Sequence, residues 1–124
     1  LEDLAAPILD AAGLDVPDSM TARSVLDVLA GRTDRHRDHT VSGLDRSARE
    51  VEMAARHYGE NTWVKLREWR AVTAMQHKLI VSPDLPSPYL VDLTADPYEE
   101  HDVAADNPEI VERLSAVTSA AVRR

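Results

Sequence analysis

From Glu68 onward the apolar residues change period once, from two to between three and four, and that change sets the fold class. Glu68-Trp69-Arg70-Ala71-Val72-Thr73-Ala74 alternates in polarity and His77 to Val81 is a short apolar run. Both are strand patterns, and the short gap between them suits a hairpin. Pro83, Pro86 and Pro88 mark a loop, because proline cannot donate to a ladder. Tyr89-Leu90-Val91-Asp92-Leu93 reads as a third strand. Asn107-Pro108 then predicts a helix start, with Asn as N-cap and Pro in the first helical position. Ile110, Val111, Leu114, Val117 and Ala121 form one apolar face of that helix. Glu109 and Glu112 sit toward its positive end, and Arg123 and Arg124 toward its negative end, as the macrodipole favours. Helices followed by antiparallel strands and a closing helix define an α+β fold. A small sheet of about three to four strands packs against the C-terminal helix.

Upstream the signals are shorter. Glu2 to Ala12 sets Leu4, Ile8 and Ala11/Ala12 at helical spacing, with Gly13 where a helix end favours a left-handed residue. Pro7 is tolerable there only within the first turn. Asp15 to Ser19 is a turn. Arg23 to Ala30 stacks Val25, Leu26 and Leu29 and ends at a second glycine, Gly31. The polar run from Arg32 to His39 has no periodicity and is the best boundary in the chain. Residues 1–31 are therefore expected to be a helical segment and 32–124 the α+β subdomain proper. Leu44 to Tyr58 carries a thin helical stripe of Leu44, Ala48, Val51 and Ala55, and most of 33–66 is left open.

Composition narrows what such a fold can do. The chain has 124 residues, enough for one modest core, and no Phe, so that core must be aliphatic. Twenty-two acidic residues against 14 basic ones give a net charge of -8, which repels phosphate backbones and anionic surfaces. Neither a nucleic acid nor a membrane is an expected partner. Cysteine is absent, which removes disulfides, thiolate metal ligands and thiol nucleophiles within these residues. The chain opens on Leu1 with an apolar period already under way, so it is expected to be part of a longer protein.

Three stretches, in order, carry a family likeness. Asp3-Leu4-Ala5-Ala6-Pro7-Ile8-Leu9-Asp10-Ala11-Ala12-Gly13 is followed by Val16-Pro17-Asp18 and Arg23-Ser24-Val25-Leu26. Arg70-Ala71-Val72 is spaced from Lys78-Leu79-Ile80. Leu90-Val91-Asp92-Leu93 runs into Asp96-Pro97-Tyr98-Glu99 and Val103-Ala104. Together they resemble the C-terminal end of the sulfatases of the alkaline-phosphatase-like superfamily, over most of the chain except Thr33 to Leu66. The departures are Ala6-Pro7 for Pro-Thr, Ala22 for the glycine before Arg-Ser, and Thr73 for a second arginine. Further along, His77 and Val91 stand for tyrosines and Asp102 for an asparagine. They leave the fold intact and weaken any inference about substrate.

The resemblance implies a sulfuric ester hydrolase as the parent, with a formylglycine nucleophile and a calcium ion, neither of them carried by this segment. A Cys/Ser-x-Pro-x-Arg sequence, from which formylglycine would be made, is absent, and Ser82-Pro83 and Ser87-Pro88 have proline at the wrong offset. Asp106-Asn107 falls on a helix cap. No catalytic, cofactor or metal residue is therefore expected here. Arg35, His36, Arg37 and His39 are the candidate substrate-cleft residues, able to receive a sulfated or acidic ligand; a solvated loop is the other reading. Trp63, Trp69 and Tyr58 admit a stacking platform, although a strand carrying Trp69 and Val72 reads as core.

The function expected is that of a C-terminal sulfatase subdomain, completing fold and substrate cleft beside a catalytic domain of the same parent chain and inactive alone. Self-association of this segment through apolar residues before Gly31 is expected where that domain is missing. Two alternatives stand beside it. One is a free-standing acidic α+β module for protein interaction or oligomerisation; the other is the C-terminal part of a phosphodiesterase or phosphonate hydrolase.

Overall fold

The computed structural model describes residues 3–59, 61–74 and 76–121. Residues up to Asp38 form one compact unit and those from His39 onward a second.

In the first unit, α1 (Ala5–Ala11) and α2 (Leu26–Leu29) are both closed by glycine. Gly13 (φ 71°) and Gly31 (φ 68°) take the left-handed conformation that a side chain disfavours. Their geometry completes paired caps. Leu14 N–H reaches Leu9 O at 2.9 Å beside Gly13 N–H to Asp10 O. Arg32 N–H reaches Asp27 O at 2.8 Å beside Gly31 N–H to Val28 O. Pro7 falls in the first turn of α1, whose amides have no intrahelical acceptor in any case. The helical stretches are shorter than the sequence suggests, because Asp3, Leu4 and Arg23 to Val25 lie outside the helices, while Glu2 is outside the described residues. Ala6 is the buried residue of α1, while Leu4, Ile8 and Leu29 are exposed.

The second unit is an α+β layer structure. Its sheet runs β1 (His39–Asp45), β2 (Glu68–Ala74), β3 (His77–Val81) and β4 (Tyr89–Asp92) in that spatial order, every pair antiparallel. α3 (Ala48–Tyr58) and α4 (Thr62–Lys65) connect β1 to β2, and α5 (Pro108–Ala121) closes the chain. The register lines up Val41, Val72, Leu79 and Leu90 in one row across the four strands. Val72, Leu79 and Leu90 form the core with Leu114 of α5, and Ile110, Val111 and Val117 flank it. The α5 face of the sheet therefore holds an aliphatic core, as a Phe-free chain requires. The other face buries Ala71, Ile80 and Val91.

β2, β3 and the closing helix stand where the sequence puts them. The link between β2 and β3 falls partly on Met75, which lies outside the described residues, as do Arg123, Arg124 and the side chain of Ala121. Asn107 starts α5 with its carbonyl, which accepts the Ile110 and Val111 amides, while its side-chain amide donates to Val103 O at 2.9 Å.

Two expectations are corrected. Leu44 does not begin a helix; it belongs to β1, and the helix starts at Ala48. The boundary is set by a reciprocal cap. Ser47 Oγ accepts the Glu50 amide, and the Glu50 carboxylate accepts the Ser47 amide at 2.7 Å. Leu93 is not part of the third predicted strand. Strand β4 ends at Asp92, whose carboxylate accepts the Thr94 and Ala95 amides and turns the chain, leaving Leu93 half-buried outside the core cluster.

Candidate functional site

The four basic residues singled out in the sequence have different partners. In the first unit, Arg37 makes a two-pronged ion pair with both oxygens of Asp3, and His36 Nε2 lies 2.9 Å from Asp3 Oδ2. Arg37 also donates to Thr21 O at 2.9 Å, and the Arg23 amide donates to Asp3 Oδ1 at 2.8 Å. Asp3 thus gathers three separate points of the unit. Ser24 Oγ, bonded to Asp10 at 2.7 Å, adds a fourth tie. Arg35 faces Asp38 at 3.1 Å and is well exposed. His39 opens β1, in register with Ala74, in the second unit. His36 and Arg37 are engaged by Asp3, a carboxylate more than thirty positions away to which no local pattern connects them.

This arrangement has an acid limit. The Arg37 guanidinium, the Arg23 amide and His36 hold the Asp3 carboxyl well below the usual carboxylate range, against the opposing effect of burial. A depressed native pKa contributes stability that is complete above the unfolded value of about 4 and is lost as pH falls toward the native one. Hydrogen-exchange protection of residues 4–37 is expected to hold from neutral pH to about pH 5 and to fall below about pH 4. Asp3→Asn should show the loss already at pH 7, by about 1–2 kcal/mol for a partly exposed charged hydrogen-bond hub. Equal protection in the two proteins would mean that the hub does not organise the unit.

The segment from Leu90 to Ala104 is the second concentration of polar chemistry. Asp96 is largely shielded, and its Oδ2 accepts the His101 amide at 2.8 Å. Burial pushes the Asp96 carboxyl up, but the His101 and Glu100 amides and the His101 ring outweigh it and leave the carboxyl below its ordinary value. The accepted amides lie four and five residues on, so the carboxylate closes the whole turn. Glu99 adopts φ 60°, the left-handed region that non-glycine residues rarely enter. Its carboxylate meets Lys78 Nζ from β3 at 2.6 and 2.9 Å. Asp102 Oδ1 accepts the Leu90 amide at 3.0 Å and the Ala104 amide at 2.9 Å.

Asp96, Glu100 and His101 each offer an atom within 4.8 Å of the others. Asp96 Oδ2 already accepts the His101 amide, so Asp96 and His101 serve to close the loop. Tyr89 lies beside this loop, and burial followed by the charges of Asp102, Asp96, Glu100 and Glu99 pushes its phenol up. Trp63 packs edge-on against Tyr89 at 5.0 Å and stays 40% exposed. Trp69 is half-buried and Tyr58 is 71% exposed beside His57, so the three aromatics do not share a platform.

An open cleft of about 320 Å³ lies where the start of β2 and the end of β3 meet α5. Arg70 and Ser82 line it from the sheet, and Ser115, Thr118 and Ser119 from the helix. The guanidinium is held by Asp45 at 3.1 Å and Glu68 at 3.6 Å. Ser82 Oγ donates to Glu68 O, and Thr118 Oγ1 to the Leu114 and Ser115 carbonyls. The Ser82 and Thr118 hydroxyls both donate to backbone carbonyls, so neither is presented as an activated nucleophile.

With this geometry in view, comparison with solved structures is decisive for the fold. The chain matches a sulfatase of a Bacteroides thetaiotaomicron locus for metabolism of multiple glycosaminoglycans over 98% of its length, with TM-score 0.66 and 22% identity. It matches a 2-O GAG sulfatase over 98%, with TM-score 0.75 and 21% identity. The solved structures it resembles are sulfatases and phosphonate monoester hydrolases. A phosphonate monoester hydrolase of Agrobacterium radiobacter aligns over 97% of the chain with TM-score 0.61 and the higher identity of 28%. The chain spans about a quarter of each of these proteins, 23–24% of their length. No protein-family model and no curated protein sequence matches it.

Proposed function

We propose that this chain is the C-terminal subdomain of a sulfatase-type sulfuric ester hydrolase, completing the fold and the substrate cleft beside a catalytic domain of the same parent chain. The observation that carries the reading is a single alignment spanning both units and 98% of the residues in a glycosaminoglycan sulfatase four times as long. The polar network supports it. Lys78, Leu90, Glu99 and Asp102 all belong to the stretches that resemble sulfatase motifs; Lys78 binds Glu99, Leu90 binds Asp102, and Lys78 and Leu90 sit on the neighbouring strands β3 and β4. In this reading the nucleophile and the metal site belong to the larger part of the parent. Of the basic residues proposed to face the cleft, Arg35 and His39 are the exposed pair, while His36 and Arg37 hold the scaffold through Asp3.

The second reading, a phosphonate monoester hydrolase subdomain, is favoured by the 28% identity to the Agrobacterium radiobacter enzyme. One experiment separates them. The parent reading frame and the 124-residue chain are each assayed with an aryl sulfate and an aryl phosphonate monoester. Sulfate turnover by the parent at least tenfold above phosphonate turnover, and none by the 124-residue chain, is the expected result. The reverse preference selects the second reading, and turnover of either ester by the chain alone overturns both.

A further inference from the structure

The two edges of the sheet are treated differently. On β4 the outward groups of Leu90 are satisfied, its amide by Asp102 and its carbonyl by the Val103 amide at 2.8 Å. Asp92 O, next along that edge, accepts the Asp96 amide at 2.8 Å. β1 has no such cover. Its ladder with β2 continues as Arg46 N–H to Arg67 O at 2.7 Å, which fixes the alternation: Thr40, Ser42 and Leu44 bond inward. The amides and carbonyls of His39, Val41, Gly43 and Asp45 therefore point out of the sheet. Among the described residues no hydrogen bond ends on them. β1 also lacks the proline, bulge or lysine that usually blunts an edge.

Gly43 keeps this strand close to its neighbour. A Cβ there would stand 2.5 Å from the Arg70 side chain, which crosses β1 to reach Asp45. The strand is thus held extended over all seven residues with an unused edge.

We propose that this edge pairs with the same edge of a second copy, antiparallel about a two-fold axis through Ser42. The occupant follows from the register. With Ser42 on the axis, Val41 stands opposite the partner's Gly43 and His39 opposite the partner's Asp45. All four outward residues of each copy then both donate and accept. The pairing also places an imidazole against a carboxylate at both ends of the shared ladder. Asp45 is 70% exposed, so its oxygens are accessible to a second donor beside Arg70. Any one-residue shift leaves outward groups facing inward-bonded ones, and a two-residue shift sacrifices both charge pairs. The result is one continuous eight-stranded sheet. This interface differs from the self-association expected through residues before Gly31, and it rests on the sheet edge, not on the hydrolase reading.

Ser42 supplies the test, because the two copies of it meet at a non-bonded position of the new ladder. Such pairs bring Cα atoms to about 4.5 Å, within disulfide range, and the chain has no other cysteine. The 124-residue chain is expected to sediment as a concentration-dependent dimer. Ser42→Cys should become a covalent dimer on mild oxidation, while Glu112→Cys on the exposed side of α5 should not. Ser42→Lys sets like charges opposite one another and should raise the dimer dissociation constant at least tenfold with the circular dichroism spectrum unchanged. If that variant does not fold, cross-linking of Ser42→Cys against the control decides alone. A monomer at the highest attainable concentration, or a dimer in which Ser42→Cys links no faster than the control, overturns the proposal.

Discussion

Leu114→Ala is expected to lower the unfolding free energy by about 2–5 kcal/mol, the range for large-to-small changes in a packed core. Leu114 is 3% exposed and is the α5 member of the cluster with Val72, Leu79 and Leu90. Its side chain joins three strands to the helix at one point. Ile110, Val111 and Val117 are only half-buried and cannot collapse into the space, because each is fixed to its own turn of the helix. A loss of this size is a large share of the 5–15 kcal/mol typical of a domain. Leu29→Ala is the control, since Leu29 is 76% exposed and should change stability by no more than about 0.5 kcal/mol. Urea unfolding of both variants checks the contrast. An unchanged midpoint for Leu114→Ala would mean that α5 is not docked on the sheet.

The parts of the fold legible in sequence are those with two independent local signals. β2 and β3 combine alternation with a hairpin-sized gap, and α5 combines an Asn-Pro start with a continuous apolar face. β1 was hidden because it is an edge strand. Only Val41 and Leu44 along it are partly buried, and an odd and an even position of a strand lie on opposite faces. Its last residues therefore passed for the start of the helix that follows. The Ser47 and Glu50 spacing is a capping signature that would have placed the break. α4 is four residues long, and its one local mark is Asn61, which accepts the Val64 amide.

The candidate site was legible in kind and not in connectivity. That Arg37 and His36 are polar and that Asp96 initiates a turn can be read locally. That Asp3 binds the first pair, or that Lys78 binds Glu99, depends on chain reversals over 21 to 34 positions that no local pattern encodes. Glu99 shows the limit clearly: a glutamate gives no sign that its backbone will turn left-handed.

Asp102 makes the strongest prediction about that loop. One oxygen, Oδ1, accepts the amides of Leu90 and Ala104, so it ties the edge of β4 to the segment leading into α5. Leu90 is fully buried, and without this acceptor its amide would face the Val103 turn unpaired. Asp102→Ala should therefore cost about 2–3 kcal/mol, the scale of losing charged hydrogen bonds to a partly buried partner. Asp102→Asn keeps an oxygen in the same place, and the sulfatase motif that this stretch resembles carries asparagine there. It also removes one charge from a loop crowded with Asp96, Glu99 and Glu100. The net change for Asp102→Asn should stay within about 1 kcal/mol. Two measurements separate acceptor from charge. Hydrogen exchange at the Leu90 amide should accelerate in Asp102→Ala and not in Asp102→Asn. The Tyr89 phenol, held up partly by the Asp102 charge, should titrate at lower pH in both variants. If Asp102→Asn loosens the Leu90 amide as much as Asp102→Ala does, the negative charge itself, and not an oxygen in that position, holds β4 to the loop.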